Sequence, residues 1–191
     1  MTIDTFGCLG STIKVSAGHY VDFSNPKPES IEIRSIAAAL SKICRFGGHC
    51  PQFYSVAEHS VHAALLAQKH GCCDDAVRAV LLHDATEAYL GDMVKPLKAM
   101  NPEYAKLEQR FEAVIGEAFG VDFRMWNDEI KRFDRAMLKA EKIAMWPTDA
   151  TEWVGFSTIG HESVNFVWWT CEDAERKFLR TCVGFGLHVR K

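Results

Sequence analysis

An apolar run that ends in a histidine and a carboxylate is the strongest constraint this sequence places on its fold. Residues 79–84 read Ala-Val-Leu-Leu-His-Asp, and Glu87 follows one helical turn after His83. Burying such a helix takes an imidazole and a carboxylate out of water. For an unpaired carboxylate that costs on the order of several kcal/mol even after relaxation. A fold that accepts this segment must supply a partner for both groups, and a divalent cation is the simplest one.

The rest of the chain predicts helices in series. The spacing of Ile36, Leu40 and Ile43 predicts a helix from Ser35 to about Arg45, broken by Gly47-Gly48. Ser55 and Glu58 form a capping box opening a helix that ends near Gly71. Asp74-Asp75 opens the next, predicted to run unbroken towards Leu90 and stop at Gly91. Asn101-Pro102 starts a helix carrying Tyr104, Leu107, Phe111 and Ile115 and ending at Gly120. Asn127-Asp128-Glu129 begins a long helix through about Ala144. Residues 146–161 read as a loop and Glu172–Val183 as a closing helix. Residues 1–29 are turn-rich and irregular, with a short extended piece at 19–23, and no repeat or linker divides the chain. The expectation is a single all-α domain over residues 1–191.

Polar groups interrupt three of these apolar stripes. Val56, Ala63 and Leu66 share a face with His59; Val77, Val80 and Leu81 lead to Asp84; Ile130, Met137 and Leu138 bracket Asp134. His83 and Glu87 are expected to stack at i, i+4 on an adjoining face. Taken singly, each has a plainer reading. A core histidine is usually hydrogen-bonded, Asp134 could pair with an arginine, and Asp84 could cap a neighbouring helix. Taken together, His59, His83, Asp84 and Asp134 converging on one cation is the economical account. His62 competes with His59, whose stripe is the more apolar.

Composition narrows the function classes. A net charge of −3 argues against duplex DNA and anionic membranes as partners. No apolar stretch is long enough to span a bilayer, and the N-terminus lacks a signal-peptide pattern, so a cytoplasmic location is expected. Seven cysteines with no Cys-x-x-Cys pair fit reduced thiols.

The ordered blocks Arg45-Phe46-Gly47-Gly48-His49, Tyr54 to Ser60, His83 to Glu87 and Gly91 to Lys98, followed by Asp134, resemble the H…HD…D signature of HD-domain phosphohydrolases. The resemblance covers roughly residues 30–145. It points to the branch with bacterial 5′-deoxynucleotidases and phage enzymes that hydrolyse deoxynucleoside triphosphates such as dATP. It implies an all-helical bundle around a central divalent metal, with His59, His83, Asp84 and Asp134 as ligands. It implies Glu87 as the acid/base group and Asp92 beside the sugar or the attacking water. Arg45 and Lys98 would contact phosphate, and Phe46, where relatives often carry tryptophan, would pack on the base or sugar. Gly47-Gly48 replaces bulkier residues of some relatives, leaving room for an extra exocyclic group. Relatives tend to be homo-oligomers, so one is expected here.

Two imidazoles and two carboxylates suit Mn²⁺, Co²⁺, Ni²⁺, Fe²⁺ or Zn²⁺, with Mg²⁺ possible. The expected activity is hydrolysis of deoxynucleoside 5′-phosphates, releasing phosphate from a monophosphate or triphosphate from a dNTP. Two alternatives stand beside it. One is a catalytically silent nucleotide sensor. The other is a cyclic-nucleotide phosphodiesterase, which would call on His49, His62 or His70 for a second metal. Without the resemblance, Arg45 reads as a helix-terminal cation, Lys98 as a solvated one, Phe46 and Trp168-Trp169 as packing, and Cys72-Cys73 as a helix end.

Overall fold

The computed structural model describes residues 10–187. Most of the described chain is helical, as the periodicity requires. A two-stranded antiparallel hairpin, β1 (Thr12–Lys14) and β2 (Tyr20–Asp22), with Ile13 opposite Val21, stands before the helices. It gives residues 10–29 more order than expected, and the extended piece is one of its strands. The expectations for residues 1–9 and 188–191 lie outside the described residues.

The helices are α1 (Ile33–Leu40), α2 (Val56–Lys69), α3 (Asp74–Leu82), α4 (Glu87–Leu90), α5 (Lys95–Ala99), α6 (Pro102–Phe119), α7 (Asn127–Met145) and α8 (Cys171–Gly184). α2 is the central rod and packs against α1, α3, α7 and α8, while α3 also packs on α7. One core runs through Val56, Ala57, Val61, Val77, Val80, Leu81, Phe133, Met137 and Phe178, all at most 2% exposed. Among the described residues no helix is long and apolar enough to cross a membrane.

Local signals set many of the ends. Ser55 accepts the Glu58 N–H, Asn101 accepts the Tyr104 N–H, and Gly120 closes α6 in the left-handed region. Glu58, however, does not complete a capping box. Its buried carboxylate turns away and accepts the Trp169 N–H at 2.9 Å. That bond ties the segment before α8 to α2, and Trp169 is buried there as packing. α8 starts at Cys171 behind a Thr170 cap, close to the expected closing helix.

Two expectations are corrected. α1 stops at Leu40 rather than near Arg45, because the chain beyond it becomes extended and pairs with residues 54–56. Val56 N–H donates to the Ile43 carbonyl at 3.0 Å and Arg45 N–H to the Tyr54 carbonyl at 2.9 Å. Arg45 is therefore not a helix-terminal cation. It enters a tight turn, Arg45–Gly48, in which Phe46 (φ 59°) and Gly47 (φ 59°) are both left-handed. The predicted helix from Asp74 to Leu90 is also broken, between α3 and α4, and that break builds the site.

Candidate metal centre

The break begins with the His83 ring. Its Nδ1 lies 2.7 Å from the Val80 carbonyl. A carbonyl can only accept, so Nδ1 carries the proton. Val80 O is the acceptor that a continuing α-helix would offer to the Asp84 N–H. The chain tightens instead into i→i+3 bonds, Ala85 N–H to Leu82 O at 2.9 Å and Glu87 N–H to Asp84 O at 3.0 Å. His83 and Glu87 consequently do not sit one above the other on a single regular helix.

His59 comes from the middle of α2 and is fully buried. Its Nδ1 lies 2.5 Å from Glu141 Oε1 on α7. Glu141 is a carboxylate, held down to about 2 against the upward push of burial by Arg45, His59 and Tyr54. It accepts, so the His59 Nδ1 also carries its proton. Both imidazoles are thus fixed in one tautomer, and their remaining nitrogens, His59 Nε2 and His83 Nε2, face each other across 3.3 Å. In the neutral rings these are two lone pairs with no hydrogen between them. Such a contact is stable only with a positive charge at hand, a proton or a metal ion.

The surroundings supply the matching negative charge. Asp84 Oδ2 lies 3.1 Å from His83 Nε2 and 3.6 Å from His59 Nε2. Asp134 Oδ1, from α7, lies 3.7 Å from His59 Nε2. Burial opposes the His83 imidazolium, but the Asp84 and Asp134 carboxylates outweigh it and push its pKa up to about 9. Burial would also raise Asp84 and Asp134, yet the two histidines hold both below the ordinary carboxylate range. One nitrogen each from His59 and His83 and one oxygen from Asp134 lie within 4.8 Å of one another, a set that could hold a metal ion. Asp84 adjoins this trio but is shared with Arg45, whose Nη1 lies 3.3 Å from its Oδ2. The donor set and the opposed lone pairs fit a divalent ion.

Around the cluster stand the other expected residues. Arg45 is 8% exposed and spans Asp84 and Glu141, with Nη2 3.3 Å from Glu141 Oε2. Its Nε is buried without a hydrogen-bond partner. Glu87 Oε2 is likewise buried and unpartnered. Burial first, and then the Asp84 and Asp92 charges, raise Glu87 well above the usual range. Burial and Asp84 also raise Asp92, with Arg45 opposing them. Phe46 packs edge-on against Trp146 with ring centres 5.3 Å apart, beside Trp153. Lys98 pairs with Glu108 on α6 rather than standing solvated.

Three functional candidates escaped the sequence. Lys95 Nζ lies 3.0 Å from Asp134 Oδ2. Tyr54 donates its hydroxyl to Glu141 Oε1 at 2.9 Å. Glu141 itself sits two turns after Asp134, so a carboxylate recurring on a core-facing stripe was the available signal. The other histidines lie elsewhere. His49 is exposed, His62 packs on Trp169 and approaches Glu58 at 3.5 Å, and His70 pairs with Glu162 at 2.9 Å.

The HD domain family matches residues 48–131. Uncharacterized protein YfdR of Escherichia coli (strain K12) is 36% identical over 143 residues, which cover 75% of this chain and 77% of its own length. An uncharacterized protein of Rhodobacter capsulatus is 37% identical over 113 residues, covering 56% of this chain and 58% of its own. HD domains bind divalent metals, and the His59, His83, Asp134 cluster could hold one. The chain belongs to the HD-domain phosphohydrolase superfamily.

Proposed function

We propose that the protein is a metal-dependent phosphohydrolase of deoxynucleoside 5′-phosphates. The observation that carries the metal is the approach of His59 Nε2 and His83 Nε2 to 3.3 Å beside two carboxylates held below their ordinary range. His59, His83 and Asp134 would hold the ion, with Asp84 as the fourth ligand. When bound, such an ion supplies Lewis acidity towards a phosphoryl oxygen and makes a bound water more acidic.

The chain's own groups do the rest. Arg45, held through Nη1 and Nη2 by Asp84 and Glu141, would offer a charged donor to a phosphate oxygen. Lys95 and Lys98 add positive charge, each now neutralised by a carboxylate that a phosphate can replace. Glu87, whose pKa burial and the Asp84 and Asp92 charges raise well above its ordinary value, would be the group that passes a proton to a leaving alkoxide and recovers one from water. Asp92, whose charge acts on Glu87, would hold the sugar or the water. Phe46, backed by Trp146 and Trp153, would offer an aromatic wall to the sugar.

This ligand set speaks against a silent sensor, and the scattered positions of His49, His62 and His70 speak against a two-metal phosphodiesterase. Purified protein incubated with Mn²⁺ or Co²⁺ and each dNMP and dNTP is expected to release orthophosphate from a monophosphate or triphosphate from a dNTP. Asp134→Ala is expected to abolish that release. Inertness towards all eight nucleotides would overturn the reading.

A further inference from the structure

Beside the metal centre lies a cavity that none of these roles uses. It has a volume of about 340 Å³ and is lined by His83, Glu112, Phe123, Arg124, Asn127 and Ile130. It sits between α6 and the start of α7 and shares His83 with the metal trio. Beyond it, sharing Glu112, Phe123 and Arg124, a second basin of about 730 Å³ reaches Glu117 and Asp122. Together they form a trench running away from the ion site along α6. The smaller cavity alone is within the usual size range of small-molecule sites.

The charges along the trench decide what it can take. Glu112, Glu117 and Asp122 stand against the single Arg124, and Asp128 and Glu129 in the first turn of α7 add to the acidic side. A phosphate tail is repelled there. The cations Arg45 and Lys95 stand instead around Asp84 and Asp134, whereas Lys98 pairs with Glu108, one turn before Glu112. An ester phosphate held at the ion would therefore point its anionic oxygens towards those cations and its neutral nucleoside towards the trench. The distances are compatible: Asn127 precedes Asp134 by seven residues on one helix, about 10 Å of axial rise.

The lining matches a flat, polar-edged heterocycle. The Phe123 ring and the Ile130 side chain supply apolar walls. The Glu112 carboxylate, the Asn127 amide and the Arg124 guanidinium supply hydrogen-bonding groups, and no ion pair or hydrogen bond holds any of the three side chains among the described residues. Burial and the neighbouring Glu108 raise Glu112, with the Arg124 and Lys98 charges opposing them. A carboxylate accepts from the exocyclic amine of a base, and an amide can both donate and accept on the same edge.

We propose that this cavity is the subsite for the base of the nucleotide, and that Glu112, with Asn127 and Arg124, favours bases carrying an exocyclic amino group. The proposal rests on the hydrolase reading above for its orientation, but its test does not depend on turnover. Calorimetric titration with 2′-deoxyadenosine, 2′-deoxycytidine and thymidine, none of which carries phosphate, measures the subsite directly. The amino-bearing nucleosides are expected to bind about tenfold more tightly than thymidine, the value of one hydrogen bond to a charged group. Glu112→Ala is expected to erase that preference, and Arg124→Ala to weaken all three nucleosides. In steady-state assays the ratio of KM for dTMP to KM for dAMP falls towards one in Glu112→Ala.

Equal binding of the three nucleosides, or an unchanged preference in Glu112→Ala with an unchanged melting temperature, overturns the proposal. So does loss of inorganic tripolyphosphate binding in Arg124→Ala, which would make the trench a phosphate channel. A protein that binds deoxyadenosine selectively yet hydrolyses nothing keeps the subsite and overturns the hydrolase reading. One that hydrolyses nucleotides with a preference indifferent to residue 112 does the reverse.

Discussion

At the scale of single residues, Glu141 has the widest reach. It is fully buried, a burden offset by three donors: the His59 ring, the Tyr54 hydroxyl and the Arg45 guanidinium. Through the first it selects which nitrogen of His59 meets the ion, and through the last it orients the cation beside it. Carboxylates behind metal-bound histidines typically raise metal affinity about 10–100-fold. Glu141→Gln is expected to weaken Mn²⁺ or Co²⁺ binding by that order while the protein stays folded. Titration calorimetry on metal-free protein checks it, and an unchanged affinity would remove Glu141 from the site. The same residue sets an acid limit. Its pKa is depressed on folding from the usual 4.5 to about 2. Its contribution to stability is therefore complete above the unfolded value and is lost as pH falls from about 4.5 to about 2. Urea midpoints of the metal-free protein should fall over that window, and more gently in Glu141→Gln.

At the scale of elements, Gly116 shows how tightly the trench is built. It lies inside α6, where alanine is ordinarily the better helix former. A Cβ there would stand 2.7 Å from the Val121 carbonyl oxygen, and that neighbour is backbone. Gly116→Ala is expected to cost about 1–3 kcal/mol, as overpacking does. Urea denaturation measures this, and a stabilised variant would show that the 121–123 crossing yields freely. The same scale separates what the sequence makes legible from what it hides. Ser55, Asn101 and Gly120 announce helix ends because a cap acts on backbone three or four residues away. The end of α1 is hidden, because Ile43 keeps helical spacing while its carbonyl is already committed to Val56. The left-handed Phe46 is hidden too, since its neighbours Gly47-Gly48 advertise the turn and a phenylalanine does not.

At the scale of the whole molecule, the ion site is where three separate helical segments meet. Its residues were legible because each breaks an apolar stripe that some neighbour must repair. Glu141 broke a stripe as well, but its partners Tyr54 and Arg45 are 87 and 96 residues away in sequence, and no local pattern links them. A second long-range tie holds the C-terminal part in place. Glu58 accepts the Trp169 N–H across 111 residues. Glu58→Ala leaves that N–H buried without an acceptor, so the segment ahead of α8 should open more often. Limited chymotrypsin digestion is expected to cut faster at the aromatic residues between α7 and α8 in the variant, and an unchanged digestion rate would show that packing of Trp169 alone secures the segment.

The His83 ring has one further consequence. Its Nδ1 proton occupies the carbonyl that would otherwise let α3 wind on past Leu82. An alanine at this position removes a proposed metal ligand, and it also hands Val80 O back to the backbone. The helix is then free to extend, rotating Asp84 and Glu87 off their present bearings. Position 83 is where the fold and the chemistry are a single trait, so neither can be altered there without rewriting the other.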